Sequence, residues 1–271
     1  MGALTSLGRR TVSWVEEFGD FCRMTGQTCA VLPSSLTRWR TILLIIQQMF
    51  DVGTRSLPVV MITGMFVGMV LAVQAVSQFK NIGLEGQLGS IVNLSVVREL
   101  GPVLAGVLLA GRVGGAMAAE LATMHVTEQI DALRAMGADP IRYLVVPRFI
   151  ACLILGPLLV MYADVMGIFG GYYVSVIIYD VNAAAYWTTS HTSVEFFDVA
   201  SGLLKSVLFA GTLALISCNK AFRSGPGAAG VGRACTEAFV SSCMVILGLD
   251  FFINVLLNTI YITIYGFKPL F

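Results

Sequence analysis

The sequence has few charged residues: only 12% are Asp, Glu, Lys or Arg, against about 25% in an average soluble domain. Apolar residues make up 56% of the chain, and the mean hydropathy is +0.82. This composition excludes an ordinary soluble fold and predicts a polytopic membrane protein. The net charge of +1 gives no electrostatic support for nucleic acid binding.

Several catalytic and nucleotide-binding motifs are also missing. There is no GxxxxGK[ST] phosphate-binding loop, so any ATP and Mg²⁺ must bind a partner subunit, and this chain is expected to bind no cofactor. No GxSxG elbow is present, which disfavours an intramembrane hydrolase. The GxGxxG match at Gly225 to Gly230 follows an apolar span instead of a strand and contains Pro226, which predicts a flexible loop over 220–233.

Cysteine and histidine spacing indicates no metal site or disulfide. The six cysteines show no CxxC pattern. His125 and His191 are predicted to lie on opposite sides of the membrane, so they cannot form a paired-histidine site.

Five long apolar segments predict an all-α integral membrane fold. We place the spans at about 57–79, 91–124, 145–178, 200–219 and 235–261. Gly101-Pro102 predicts a kink in the second span, and 179–199 reads as a polar link. GxxxG pairs predict close helix packing in three spans; they are Gly64/Gly68, Gly111/Gly115 and Gly167/Gly171.

Residues 1–52 are predicted to lie at the membrane surface, ahead of a transmembrane permease domain over 53–271. The first 35 residues are not a signal peptide, because Glu16, Glu17 and Asp20 interrupt the apolar core. Their helical periodicity predicts an interfacial amphipathic helix that ends near Pro33; the alternative is a soluble helix packed on a partner. Residues 42–52 are too polar for a span and predict an elbow, so the first span would begin at Pro58.

One short polar helix is predicted between the second and third spans, over 128–136. Thr127 is a suitable N-cap, Asp131 falls in the first turn, and Gly137 and Pro140 provide a stop. A helix of this length is marginal alone and needs a surface to dock on. It is either a lever that a soluble partner grips or an ordinary ordered loop.

The distribution of Lys and Arg predicts the orientation. The opposite side carries only Lys80 and Lys268, whereas the N-terminal segment, the polar-helix loop and the 220–233 loop carry Arg9, Arg10, Arg23, Arg38, Arg40, Arg134, Arg142, Arg148, Lys220, Arg223 and Arg233. The N-terminus and the polar helix are therefore expected in the cytoplasm, and five spans place the C-terminus outside. An odd number of spans disfavours an internal inverted repeat, so any symmetry would come from a homodimer.

Charges within the spans are candidate site residues, because each costs about 2.5–3.5 kcal/mol at the centre of a span unless it has a partner or lines a polar cavity. Lys205 and Asp250 are opposite charges that can pair across helices. Arg98 and Glu99 are adjacent and so point about 100° apart. Structural ion pairing and lipid contact both remain open for these residues on spacing alone.

The runs EQIDALRAMG (128–137) and RELGPVLAGVLLAGRVGGAMAAELATM (98–124) resemble the permeases of the MlaE/YrbE family. The similarity covers about 47–252 and includes SLPVVMITGMFVGMVLAVQ (56–74), Lys205-Ser206 and GLDFF (248–252). Members of this family are membrane subunits of ABC transporters that work with MCE-domain proteins.

The resemblance implies a homodimer, two ABC ATPase subunits on the cytoplasmic side, a ring of MCE-domain proteins outside, and a phospholipid or related substrate. It implies that Ile130, Leu133 and Met136 dock on the ATPase while Glu128, Asp131 and Arg134 set the register. It implies a lipid pocket lined by Leu57, Val67, Leu71, Gln74, Arg98 and Glu99.

Two other function classes remain open, and the membrane is expected to be a bacterial inner membrane. An ion-coupled secondary transporter would use Glu99, Glu120 or Asp250 as a proton site and would need no ATPase. An intramembrane lipid enzyme would need a nucleophile–base pair, which the sequence does not show. A plastid location is disfavoured, because no Ser-rich, acid-poor transit segment is present.

Overall fold

The computed structural model describes residues 2–36, 39–80 and 85–265, and within these residues the chain is helical and contains no strand. Ten α-helices are found there: α1 Gly2–Leu36, α2 Trp39–Phe79, α3 Leu88–Ser95, α4 Gly101–Leu109, α5 Gly115–Val126, α6 Gln129–Ala135, α7 Val146–Tyr172, α8 Ala183–Ser193, α9 Phe196–Phe222 and α10 Gly227–Tyr265. Four π-helical segments adjoin them: π1 Val96–Leu100, π2 Ala110–Gly114, π3 Ile141–Val145 and π4 Tyr173–Ile178. A 3₁₀ turn, Glu85–Gln87, precedes α3.

Five helical stretches in the described residues are long and apolar enough to cross a membrane, which confirms the predicted all-α membrane fold. They are Thr41–Phe79, Leu88–Val126, Ile141–Ile178, Phe196–Phe222 and Gly227–Thr263. Each extends beyond its predicted limits because the helices continue into the polar flanking residues.

The N-terminal helix α1 runs past Pro33, so the expected break there is wrong. Met24 and Thr28 are buried against the bundle, with Phe21 and Leu32 packed on the same core. Because these residues recur at helical spacing, they form the docking face of α1. Val15 and Phe18, which are apolar residues of the same helix, are exposed.

The predicted elbow and first span are one continuous helix. In α2, Pro58 lies in the interior and not in a first turn, and the predicted domain boundary between residues 52 and 53 falls within the helix. The elbow is therefore the N-terminal part of α2 and not a separate element.

Glycines let α2 and α7 pack backbone to backbone. A Cβ on Gly64 would lie 2.5 Å from the carbonyl oxygen of Ala163, and one on Gly68 would collide with the carbonyl oxygen of Gly167. The close approach predicted from two of the GxxxG pairs is thus confirmed. In the pair on the second span, Gly111 faces the ring of Phe239, whereas nothing lies within 4 Å of a Cβ on Gly115.

The second span is interrupted twice by π-helical segments. The first, π1, ends immediately before Gly101-Pro102, where the kink was predicted, and π2 follows α4. A π-helical turn inserts an extra residue into the α-helical repeat, so residues on either side no longer follow the angles of a straight helix.

The predicted polar link before the fourth span contains the helix α8. Asn182 caps it by accepting hydrogen bonds from the backbone N–H groups of Ala184 and Ala185. The hydroxyl of Tyr186 donates to Asn93 Oδ1 at 3.0 Å, and Asn93 Nδ2 donates to Ser190 Oγ at 2.7 Å. All three side chains are buried, so this network fixes α8 on α3.

The loop predicted at 220–233 is much shorter than expected. The helix α10 begins at Gly227, so Gly230 and Gly232 are helical and the prediction of a flexible loop there is wrong. A Cβ on Gly230 would collide with the carbonyl oxygen of Gly225, so this turn packs too closely for a larger residue.

Candidate functional site

An apolar groove runs between α2 and the second span. The space in it that a water-sized sphere can enter is only about 10 Å³, and its walls carry no charged side chain. The α2 wall carries Val60, Thr63, Gly64 and Val67; the opposite wall is formed by Val96, Leu100, Gly101, Leu104, Ala105 and Leu108, with Ala163 from α7. The walls of this groove are apolar, but the space between them is too small for a hydrocarbon chain.

The predicted lipid-pocket residues do not all line this groove. Val67 lines it, whereas Leu57 packs on the main core, Leu71 packs on a cluster with Val92 and Val174, and Gln74 is exposed. The side chains of Arg98 and Glu99 form ion pairs with other helices, described below. Direct contact of these residues with lipid stays a prediction.

A charge cluster joins the second, fourth and fifth spans. The ammonium of Lys205 is fully buried and lies 2.9 Å from Glu99 Oε2. It also donates to the carbonyl oxygen of Arg98 at 3.0 Å and lies 3.2 Å from Asp250 Oδ1. Asn254 donates to Glu99 Oε2 at 2.7 Å and to Asp250 Oδ2 at 3.2 Å. The predicted Lys205–Asp250 pairing is therefore present, and the cluster holds two carboxylates around one ammonium.

Two further ion pairs fix charges of the second span. Arg98 Nη1 lies 3.8 Å from Asp198 Oδ1. The other carboxylate oxygen of Asp198, Oδ2, accepts a hydrogen bond from the backbone N–H of Glu195 at the start of α9. Glu120 Oε1 lies 2.9 Å from Nη2 of Arg148, a buried arginine whose Nη1 donates to the carbonyl oxygen of Leu144. Both pairs link helices, so their first effect is to hold the bundle together.

The sequence analysis missed Asp164 of α7. Its Oδ1 atom is buried, and none of the residues that the structure describes hydrogen-bonds it. A Cβ on Gly101 would collide with this oxygen, so the glycine makes room for the carboxyl group beside the groove. An acidic residue within an apolar span is itself a signal of a functional or strained position, and that signal is present in the sequence.

The short helix between the second and third spans exists, but its start differs from the prediction. Thr127 does not cap α6; its hydroxyl donates back to the carbonyl oxygen of Thr123 in α5. Glu128 occupies the cap position with a left-handed backbone, φ 60°. The predicted stop is confirmed: Gly137 has φ 76°, and Ala138 N–H donates to the Leu133 carbonyl in a Schellman motif.

The side chains of α6 divide between the bundle and the surface. Ile130 is 1% exposed and belongs to the main core, and Leu133 packs partly on that core. Ile130 therefore anchors α6 to its own chain instead of presenting a side chain to a partner. Met136 is 73% exposed, and the exposed Asp131 and Arg134 pair at 3.0 Å. The surface offered to a partner is a methionine beside an ion pair.

Comparison with known proteins identifies the family. The family described as Permease MlaE matches residues 45–256. The chain belongs to the MlaE permease family. The predicted resemblance is thereby confirmed over most of the chain.

Relatives of this MlaE-family chain come from several lineages. A probable ABC transporter permease protein of Rickettsia felis is 44% identical over 92% of this chain and 95% of its own length. The intermembrane phospholipid transport system permease protein MlaE of Haemophilus influenzae is 36% identical over 79% of this chain and 82% of its own length. The chloroplastic protein TRIGALACTOSYLDIACYLGLYCEROL 1 of Arabidopsis thaliana is 36% identical over 85% of this chain and 65% of its own length.

Proposed function

We propose that this chain is the permease subunit of an ABC transporter that moves phospholipids or related lipids between its own membrane and an outer envelope. Membership of the MlaE permease family carries this proposal. The H. influenzae relative, which is named for intermembrane phospholipid transport, supports the substrate class.

ATP hydrolysis is assigned to partner ATPase subunits, because the chain has no phosphate-binding loop. The surface of α6 is the proposed contact for these subunits. Since Ile130 is embedded in the core and α6 follows α5 directly, a force applied at Met136 is transmitted to the second span and, through the following turn, to the third.

The assembly is proposed to be a homodimer with a ring of MCE-domain proteins on the outer face. Large parts of α2 and α10 expose apolar side chains, among them Phe66, Phe251 and Phe252, which a second copy or lipid would cover. The location is proposed to be a bacterial inner membrane, with the N-terminus and α6 in the cytoplasm and the C-terminus outside, on the basis of the Lys and Arg distribution.

The test uses Met136, the exposed apolar residue that directly follows α6. Met136→Asp places a charge at the centre of the proposed contact and leaves the core intact, whereas Leu133→Asp would also disturb core packing. We expect Met136→Asp to abolish lipid-stimulated ATPase activity and to prevent the ATPase from co-purifying with the permease. The melting temperature of the permease should be unchanged. Met136→Leu, which keeps an apolar side chain, is the matched control and should behave as the wild type. Full ATPase activity in the Met136→Asp complex would exclude this surface as the coupling site.

The charge cluster supports a second candidate function. Two carboxylates close to one buried ammonium could carry a proton in an ion-coupled transporter. Activity that follows an imposed proton gradient in the absence of any ATPase would favour this alternative.

A further inference from the structure

Two connections between spans lie on the same side of the bundle, and the N-terminal helix α1 contacts both of them. The first connection joins the second and third spans and contains α6. The second is the short turn between α9 and α10. The two contacts lie at well-separated positions along α1, so this helix bridges parts of the chain that are far apart in sequence.

The first contact, the arginine anchor, joins the end of α1 to the residues that follow α6. Nη2 of Arg142, in π3, donates to the backbone carbonyl oxygen of Ser34 at 3.0 Å and to the Ser34 hydroxyl oxygen at 3.1 Å. Beside this contact, Val31 and Leu32 of α1 pack on a buried cluster that includes Val146 at the start of α7. A displacement of the connection that contains α6 therefore acts on the C-terminal end of α1.

The second contact, the acidic anchor, joins α1 to the turn between α9 and α10. Glu17 Oε2 lies 3.5 Å from Nζ of Lys220. Arg223 pairs with two carboxylates of α1, at 3.9 Å from Glu17 and 3.6 Å from Asp20. Lys220 also pairs with Glu237 of α10 at 3.4 Å. A single exposed pair contributes little, but charges joined in a network fix this face of α1 on the turn.

Between the two anchors, α1 is one continuous helix that is docked on the bundle. From Glu17 to Ser34 it rises about 25 Å at 1.5 Å per residue. Met24 and Thr28 lie between the anchors and are buried. Because the backbone hydrogen bonds of an α-helix keep its length constant, a movement at the arginine anchor reaches the acidic anchor.

A third contact closes a ring around α6. Nδ1 of His125, near the end of α5, lies 3.2 Å from Oγ of Ser224 in the turn between α9 and α10. The connection that contains α6 is thus held on both sides of that helix, by His125 before it and by Arg142 after it. A movement of α6 as a unit must therefore displace α1 and the α9–α10 turn, or break these contacts.

We propose that α1 transmits the ATP-driven displacement of α6 to the fourth and fifth spans. The chain itself carries this displacement to the second and third spans, which flank α6, whereas the α9–α10 turn receives it through the ring. Arg142 and His125 are positioning residues in this scheme, and both lie outside the α6 surface proposed for the ATPase. The inference rests on the proposed function and names how ATP-driven movement reaches the remaining spans.

The complete transporter complex, reconstituted in liposomes, tests this role of α1. The measured quantity is the number of phospholipids transferred to an acceptor per ATP hydrolysed. Arg142→Met keeps an apolar stem and removes the donors to Ser34. We expect this ratio to fall about threefold, which is within the range by which residues of a coupling network change coupling. Basal ATP hydrolysis and co-purification of the ATPase should be unchanged.

Two variants are matched to Arg142→Met. Arg142→Lys retains a donor for the Ser34 carbonyl and should recover most of the wild-type ratio. Arg23→Met makes the same chemical change at an exposed arginine of α1, for which the described part of the chain shows no ion pair, and should leave the ratio unchanged. A purely structural loss would lower hydrolysis and transfer together, so the ratio separates coupling from stability.

The acidic anchor is tested independently. Glu17→Gln combined with Asp20→Asn removes its carboxylates at solvent-accessible positions, and the ratio should fall as in Arg142→Met. A fluorescent amino acid at Ala229, which is exposed at the start of α10, reports movement of the turn. Its emission should shift when ATP and vanadate are added to the wild-type complex, and the shift should be smaller when either anchor is removed.

The remaining outcomes overturn the proposal. A wild-type ratio in either anchor variant, an equal fall in Arg23→Met, or an unchanged emission shift after loss of an anchor would each exclude α1 as the transmitting element. Because these results require ATP-driven transfer by the wild-type complex, they leave the proposed function intact. Absence of ATP-driven transfer in the wild type would overturn the proposed function itself.

Discussion

The ammonium of Lys205, in the fourth span, lies 2.9 Å from Oε2 of Glu99, in the second span. The ammonium has no exposed surface, while Glu99 is 39% exposed. Asp250 of the fifth span completes the contact from the other side at 3.2 Å. One buried cation thus holds three spans together, and its removal would leave two carboxylates facing each other.

Lys205→Met is therefore expected to destabilise the purified permease. Breaking a buried ion pair by removing one partner costs about 3–5 kcal/mol, and partial exposure of Glu99 places the effect toward the lower end. The melting temperature measured by intrinsic fluorescence should fall by several degrees. Adding Glu99→Gln to Lys205→Met should recover part of the loss, because only one carboxylate then remains. An unchanged melting temperature in the single variant would mean that the cluster does not stabilise the fold.

Gly68→Val is expected to separate α2 from α7. Its Cβ would collide with the carbonyl oxygen of Gly167, and backbone cannot move aside as a flexible side chain can. Overpacking of this kind costs about 1–3 kcal/mol or more, which thermal unfolding in detergent would detect. Gly115→Val is the control on the neighbouring span, where a Cβ meets nothing within 4 Å. Equal melting temperatures for the two variants would contradict the close approach.

Tyr186→Phe should loosen α8 from α3. It removes the O–H that donates to Asn93 Oδ1 and leaves that buried acceptor without its donor, at a cost of about 1–3 kcal/mol. Hydrogen exchange should be faster in α8, with little change in α10. Thr188→Ala is the control, because the exposed Thr188 hydroxyl bonds only within its own helix. Protection of α8 equal to that of the wild type would show that the network does not hold it.

Tyr186 also gives the α3–α8 contact a pH dependence. Burial raises the pKa of Tyr186 to about 12, above its usual value of 10.0, although the hydrogen bond to Asn93 lowers the pKa slightly. The folded state favours the protonated phenol. The contribution of Tyr186 to the free energy of unfolding is therefore complete below pH 10 and is lost as the pH rises toward 12. The stability difference between wild type and Tyr186→Phe should therefore be equal at pH 7 and pH 9 and decrease above pH 10. A difference that already disappears between pH 7 and pH 9 would contradict this assignment.

The sequence predicted the spans well because apolar length and glycine spacing act locally. The pairs of glycines in α2 and α7 predict close packing even when the partner helix is not known. By contrast, the partners of Arg98 and Glu99 could not be predicted. The π1 segment contains both residues and changes their direction from that on a straight α-helix.

Helix ends were predicted less well, because tertiary contacts override local preference. The glycines at the start of α10 favour a loop by propensity, yet α10 begins at Gly227, and Gly230 within it packs closely on the carbonyl group of Gly225. Thr127 is a favourable N-cap in isolation, but its hydroxyl bonds back to α5. In α6, the spacing of Ile130 and Met136 suggested one docking face, whereas the bundle buries the first and exposes the second.

The central claim is that the chain moves lipid only as part of an ATP-driven complex. The most direct measurement reconstitutes the chain with its co-purified partners in liposomes and follows transfer of a labelled phospholipid to an acceptor. We predict transfer that requires ATP hydrolysis and is lost when the ATPase is omitted. Transfer by the chain alone, driven by an ion gradient and insensitive to ATP, would contradict the account and assign the Glu99–Lys205–Asp250 cluster to ion coupling.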